Sequence, residues 1–151
     1  LALASYDYVI VDTPRHVEPH VQHILERADS ILLVVQQSLM HLRDAKLLKQ
    51  ILTQEFDIAD DRVRSLINRY DKKNQITPKH IEQALGIESA WQVPNAYDLV
   101  SQSIETGTLL FELSPRAKVS KALCAVADEL GGKRESNGRS VLARLFPIHG
   151  T

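Results

Sequence analysis

Short apolar runs separated by amphipathic stretches leave a chain few folds to choose from. Residues 6–12 (YDYVIVD), 30–36 (SILLVVQ) and 62–68 (RVRSLIN) read as strands, and AWQVP at 90–94 as a brief fourth. The first two are nearly continuous in β-branched and aliphatic residues, the pattern of strands covered on both faces. Helical segments lie between and after them. Residues 18–28 carry Pro19 in the first turn, and residues 39–55 follow Ser38 as a cap, with Leu39, Leu42, Leu48, Ile51 and Leu52 on one face. Thr77–Pro78 opens a short helix that Gly86 closes. Asn95 is expected to cap the next helix, with Asp98 at the capping-box position and Gly107 as its stop. Ser114–Pro115 is expected to open the last helix, which shows Val119, Ala122, Leu123, Val126 and Leu130 on one face and ends at Gly131. Strands alternating with helices imply an α/β fold, a parallel sheet flanked by helices with right-handed crossovers.

A length of 151 residues suits one domain with a real core. The organisation expected is a domain over 1–131 and a polar, basic tail over 132–151. A hydrophobic share of 44% and a charged share of 25% are those of a soluble globular chain. The formal charge of −1 removes any bulk electrostatic case for nucleic acid. The single cysteine, Cys124, cannot form an internal disulfide and reads as a core filler, in keeping with a reducing, cytoplasmic compartment. No apolar run approaches the roughly 20 residues of a membrane span. The opening LALAS, without an initiator Met, looks like the tail of a helix begun upstream, and so points to a fragment.

Open parallel sheets bind ligands outside the carboxyl ends of their strands. The expected ends are Asp12-Thr13-Pro14, Gln36-Gln37-Ser38, Asn68-Arg69-Tyr70 and Pro94-Asn95. An apolar run ending in Asp is the Walker B arrangement, in which the strand fixes a carboxylate that holds Mg²⁺ directly or through water. A plain turn aspartate before Thr-Pro reads equally well from these residues alone. Asn68 offers an amide able to read a purine edge as donor and acceptor, or to cap a turn. NRYD at 68–71 has the Asn–Asp spacing of the guanine-reading N-K-x-D motif, with Arg69 in place of lysine. His16, His20 and His23 with Glu18 fit a solvated polar face better than a metal site, because Pro19 intervenes. No G-x-S-x-G elbow supports serine hydrolase chemistry.

A phosphate-cradling loop is missing. None of the glycines falls in G-x-x-x-x-G-K-[ST]; Gly132-Lys133 comes nearest, but Arg134 follows and Ala127 holds the earlier glycine's place. In Walker-type folds that loop lies on a strand before Walker B, so the site looks cut in half.

Taken in order, YDYVIVDTPR, ADSILLVVQQSLMHLRDAKLL, LINRY and VPNAYDLVSQSIETGTLLFELSPRAKVSKAL resemble the MinD/ParA superfamily of P-loop ATPases, over about residues 5–130. The branch they are most similar to is that of the Flp/Tad pilus-assembly proteins of the CpaE/TadZ type. The resemblance implies the C-terminal part of a doubly wound P-loop fold. It implies ATP and Mg²⁺ as ligands of the complete protein, with neither held tightly by this chain alone, and a homodimer when complete. Asp12 then resembles the Walker B aspartate and metal residue, and Thr13, Pro14 and Arg15 the switch segment. Asn68, with Arg69 beside it, resembles the adenine-contacting asparagine, and Pro94 and Asn95 the loop beside the base. Many superfamily members continue D-T-P with Ala-Gly, where this chain has Arg15-His16, although D-x-P-R looks usual for the pilus branch. Without the phosphate loop, this chain alone is expected not to hydrolyse ATP.

The implied role is to localise or assemble pilus secretion machinery, with its components as partners, at a cell pole or the inner membrane surface. The tail places Val141, Leu142, Leu145 and Phe146 beside Arg139 and Arg144, a pattern that allows peripheral membrane contact, though a solvated tail is the default. A non-catalytic interaction module on a degenerate ATPase fold, recruiting through the helices at 39–55 and 115–130, is the alternative from another class. A ParA-type partitioning ATPase and a signal-recognition-type GTPase complete the set.

Overall fold

Strand β2 (Val63–Tyr70) forms parallel ladders on both of its edges, with β1 (Ile31–Val35) and with β3 (Ala90–Pro94). The computed structural model describes residues 5–14, 17–87 and 90–131, and within them the sheet has three strands in the order β1-β2-β3. Ile31, Leu33 and Val35 stand opposite Val63, Ser65 and Ile67, so the alternate residues of the two strands share one face. Against that face pack helix α1 (Pro19–Arg27), helix α2 (Leu39–Gln50) and helix α3 (Pro78–Leu85), through Leu25, Leu42, Ala45, Ile81 and Leu85. On the other face Leu66 and Val93 meet Val119 and Val126 of the last helix, α6 (Lys118–Leu130). Between β3 and α6 run helix α4 (Tyr97–Thr106) and the single turn α5 (Leu110–Leu113). The expected parallel sheet flanked by helices is therefore present.

Residues 6–12 depart from expectation. They form no strand, and Ile10 is 81% exposed with Val9 and Val11 also open to solvent. Apolar, β-branched composition favours a strand only where a neighbour lies at ladder spacing and a face is covered. Here the outer edge of β1 carries no ladder among the described residues, and residues 6–12 do not join it. Val34, on that same bare margin, is 60% exposed although it sits in the middle of an apolar run.

The helix ends show which local signals win. Thr77 accepts from the His80 amide while His80 Nδ1 accepts from the Thr77 amide, and Gly86 stops α3 in the left-handed region at φ 63°. Gly107 stops α4 in the same way at φ 64°, but the N-cap is Ala96, not Asn95, and its side chain offers no capping bond. The Asn95 amide is instead drawn to the Tyr70 carbonyl at 3.3 Å, continuing the β2–β3 edge by one residue and moving the helix start along. α6 likewise begins later than Ser114–Pro115: the Ser114 carbonyl accepts from Ala117 N at 3.2 Å and from Ser120 Oγ at 2.7 Å, so 114–117 is a turn. Gly131 ends α6 with an ordinary right-handed backbone. Of its expected apolar face, Val119, Ala122 and Val126 pack inward, while Leu123 and Leu130 lie at the solvent flank because α6 is covered on one side.

The long helix expected over 39–55 is α-helical to Gln50 and widens into a π turn over Ile51–Glu55. There the Thr53 hydroxyl donates back to the Lys49 carbonyl at 3.1 Å, a side-chain bond that competes with the helical ladder. On α4, Tyr97, Val100 and Ile104 form an exposed apolar stripe, with Tyr97 65% and Ile104 76% accessible.

Arg62 locks α1 onto the sheet. Its Nε donates to the Ala28 carbonyl at 3.0 Å and its guanidinium also reaches the carbonyls of Leu25 at 2.9 Å and Glu26 at 3.0 Å. The last carbonyls of a helix lack i+4 partners, so Arg62 supplies donors there, although the Leu25 carbonyl also accepts from the Ala28 amide at 3.3 Å; the cation complements the negative end of the dipole. Arg62→Ala is expected to cost about 1.5–3 kcal/mol, the range for charged hydrogen bonds. Arg62→Lys, a single point charge, should fall between. Urea unfolding checks this, and an Arg62→Ala midpoint equal to wild type would remove the clamp from the fold's energetics.

Candidate functional site

The carboxyl ends of the three strands open onto one edge of the sheet, and their connections are cross-linked there. Gln37, just past β1, uses both ends of its amide: Nε2 donates to the Ile76 carbonyl and Oε1 accepts from the Asp71 amide, each at 2.7 Å. Its own carbonyl accepts from Asn74 Nδ2 at 3.1 Å. The 71–76 loop is shaped from within by Asx-type bonds, Lys73 N to Asp71 Oδ1 and Ile76 N to Asn74 Oδ1, both at 2.9 Å. One side chain thus joins the ends of β1 and β2 into a single lip.

At the end of β2 the ladder slips between Ile67 and Tyr70, and Arg69 takes a left-handed φ of 52°. A bulge of this kind re-aims side chains at a strand end, and a non-glycine residue at positive φ carries local strain. Asn68, half-buried, accepts from the Arg69 amide through Oδ1 at 2.9 Å. That bond fixes the orientation of the carboxamide, and its Nδ2 remains as a donor. Arg69 itself is exposed. Pro94 pairs with Tyr70 across the ladder and is half-buried; Asn95 follows it, exposed, its amide held by the Tyr70 carbonyl. Asn68, Arg69, Pro94 and Asn95 therefore share one edge, with Gln37 beside them.

Asp12 is exposed, Thr13 is half-buried and Pro14 exposed; Arg15 lies outside the described residues, as does His16. No hydrogen bond among the described residues joins this turn to the strand-end lip. An accessible single carboxylate fits Mg²⁺, which keeps much of its water and is held by one or two carboxylates together with substrate phosphates. Among the described residues no group of His, Cys, Asp or Glu could hold a metal by protein ligands alone. His20 and His23 instead lie 3.5 and 4.0 Å from Glu18 and Glu26 as exposed surface pairs. The expected tail helix lies outside the described residues, and none of the described helices is long and apolar enough to cross a membrane.

The chain is 25% identical over 136 residues to the septum site-determining protein MinD of Thermotoga maritima, covering 87% of this chain and 49% of that protein. Its fold superimposes on the crystal structure of a ParA-family ATPase from Chlorobium tepidum TLS with a TM-score of 0.64 and 28% identity, over 72% of this chain and 45% of that one. The chain is similar to MinD/ParA-type ATPases in sequence and in fold. It spans about half the length of each of these relatives. No protein-family model matches it.

One feature of the site is not singled out from sequence. Gln37 was only one polar residue among several at a strand end, although a long amide there is well suited to bridging two loops. Cys124, expected in the core, is half-buried. Its thiol is pushed above the ordinary cysteine range, first by burial and then by the nearby Asp128 carboxylate. Because the raised value shrinks the thiolate fraction near neutrality, Cys124 should alkylate several-fold more slowly than a free cysteine at pH 8 and speed up as pH rises. A rate equal to that of a cysteine peptide across this range would contradict it. For the lip, Gln37→Ala should raise amide exchange at Asp71 at least tenfold, the loss of about 1.4 kcal/mol of local stability, while α1 stays protected. Unaltered exchange at Asp71 would show that other contacts hold the loop.

Proposed function

We propose that this chain supplies the base side and the metal-holding carboxylate of a Mg·ATP site whose phosphate loop belongs to the remainder of the complete protein. The observation that carries the reading is the bulged end of β2, where Asn68 is oriented with its amide donor available, in a chain similar to MinD/ParA-type ATPases. A fixed N–H donor can pair with a ring nitrogen of a purine. Pro94 and Asn95 form the neighbouring wall, and Arg69 adds positive charge at the mouth. Asp12 holds Mg²⁺ directly or through water, and Thr13, Pro14 and Arg15 form the segment that responds to the phosphates. Bound Mg²⁺ supplies charge neutralisation of the phosphate oxygens. The residues of this chain would orient the base and hold the metal, and hydrolysis requires the phosphate loop.

At the level of cellular role, the reading is a localisation or assembly ATPase for Flp/Tad pilus secretion machinery of the CpaE/TadZ type, working as a homodimer in the cytoplasm or at the inner membrane surface. Its support is the run YDYVIVDTPR with Arg15 after D-T-P, together with LINRY and the segment from Val93 to Leu123. A partitioning ATPase is the other reading within the same superfamily, and the net charge of −1 weighs against DNA as its partner. A non-catalytic interaction module draws on a different observation, the exposed stripe of Tyr97, Val100 and Ile104.

Asp12→Asn in the complete protein should weaken Mg²⁺-dependent ATP binding about tenfold or more and leave metal-free nucleotide binding nearly unchanged. Titration calorimetry with and without Mg²⁺ measures both, with GTP as the competing nucleotide. Identical Mg²⁺-dependent affinity in the variant would sink the role of Asp12. Partner binding indifferent to nucleotide would favour the interaction module.

A further inference from the structure

The peptide group between Tyr70 and Asp71 is bonded at both of its ends. Its carbonyl, that of Tyr70, accepts from the Asn95 amide at 3.3 Å, and its N–H, that of Asp71, donates to Gln37 Oε1 at 2.7 Å. A peptide group is a rigid plane, so two bonds on opposite sides resist its rotation about the chain. One group at the end of β2 thereby joins the connections that follow β1 and β3. Gln37 is itself braced, since its Nε2 donates to the Ile76 carbonyl at 2.7 Å and its own carbonyl accepts from Asn74 Nδ2 at 3.1 Å. The relay runs through the ends of paired strands and the 71–76 loop bonded to them.

Immediately upstream lies a strained residue. Arg69 stands at φ 52° inside the slip of the ladder between Ile67 and Tyr70, and its amide donates to Asn68 Oδ1 at 2.9 Å. A residue other than glycine persists at positive φ only where its surroundings over-determine it. On one side of Arg69, Ile67 pairs with both Val35 and Gln92; on the other, Tyr70 leads into the doubly bonded peptide group. We infer that Gln37 is a positioning residue for the base side of the site: through the Asp71 amide it keeps Arg69 left-handed, and so sets the direction in which Asn68 presents Nδ2. With the Gln37 bond removed, the Tyr70–Asp71 plane is left to the longer bond from Asn95 and can turn. Arg69 then relaxes towards negative φ and its N–H leaves Asn68 Oδ1. The carboxamide loses the bond that fixes its rotamer.

This inference rests on the proposed role of Asn68 beside the base, and the experiment separates the two. In the complete protein, calorimetry with Mg²⁺ measures the affinities for ATP, CTP and inorganic tripolyphosphate in wild type, Gln37→Met, Gln37→Glu and Asn68→Ala. Amide exchange at Arg69 and Asn95 is followed in the same proteins without nucleotide. Gln37→Met keeps the length of the side chain and loses both polar ends. It should lower the ATP-to-CTP affinity ratio about three- to tenfold, the size of one hydrogen bond. Tripolyphosphate affinity should stay at the wild-type value, and exchange at Arg69 and Asn95 should rise. Gln37→Glu keeps an acceptor for the Asp71 amide and gives up the donor to Ile76, so it should retain more of the ratio than Gln37→Met. A wild-type ratio in Gln37→Met beside a lowered one in Asn68→Ala overturns the positioning role alone, as does unchanged exchange at Arg69. Equal losses for ATP, CTP and tripolyphosphate also overturn it, because they mark a general structural defect. If wild type does not prefer ATP to CTP, or Asn68→Ala keeps the preference, the role of Asn68 falls and the inference falls with it. Should Gln37→Met fail to fold, Gln37→Ala decides by the same comparison.

Discussion

The double pairing of β2 is the constraint on which the rest of the structure depends. Its backbone groups are taken up by parallel ladders on either side, and Val63, Ser65 and Ile67 are removed from solvent on one face while Leu66 is covered on the other. Parallel strands demand that both faces be covered, because each connection returns across the sheet as a helix. That demand places α1, α2 and α3 on one side and α6 on the other. Arg62, immediately before β2, then fastens α1 by its carbonyl end, and Arg64, one residue inside the strand, meets Glu129 of α6. The two arginines flank the buried start of the strand, and each anchors a helix on its own face. Among the described residues no buried side-chain nitrogen or oxygen lacks a partner, so the core is satisfied where it is complete.

Completeness ends at β1. Its inner edge pairs with β2, its outer edge has no ladder among the described residues, and Val34 is exposed where Leu66, its registered neighbour, is buried. α6 covers the second face over β2 and β3, and that cover does not extend to Val34. An open parallel edge with apolar side chains is a template for further pairing. The apolar residues 9–11 are exposed for the same reason, since nothing described lies beside them at ladder spacing. The outer edge of β1 thus carries no ladder among the described residues, and the chain spans about half of each similar protein.

The sequence was most legible where local chemistry and tertiary packing ask for the same thing. Three strands and the helices between them followed from periodicity, and Thr77–Pro78 and Gly86 delimited α3 because a capping box and a left-handed stop are decided within a few residues. Legibility failed where a distant partner decides. Residues 6–12 have the composition of a strand but not the neighbour. Asn95 has the side chain of a cap, yet its amide is taken by Tyr70, a residue brought close only by the β2–β3 ladder. Ser114 was read as a helix start, but its carbonyl serves Ser120 and Ala117 in a turn. Gln37 carries the same lesson for function, because its importance comes from partners 34 to 39 residues away.

These long-range bonds divide the molecule in a way that bears on how a nucleotide site could work. At one edge, Gln37 and the Asn68–Arg69 bulge make a lip that is already set: the Gln37 amide is engaged at both ends, Asn68 Oδ1 is held by the Arg69 amide, and Arg69 lies between the paired residues Ile67 and Tyr70. Groups fixed in this manner bind by shape and need little reordering on contact with a ligand. Asp12 is exposed, on a segment whose Tyr8 hydroxyl donates to the Gly131 carbonyl at the end of α6. On the proposed assignment, the base side of the site rests on groups already fixed within this chain, whereas Asp12 stands on a segment without a ladder among the described residues.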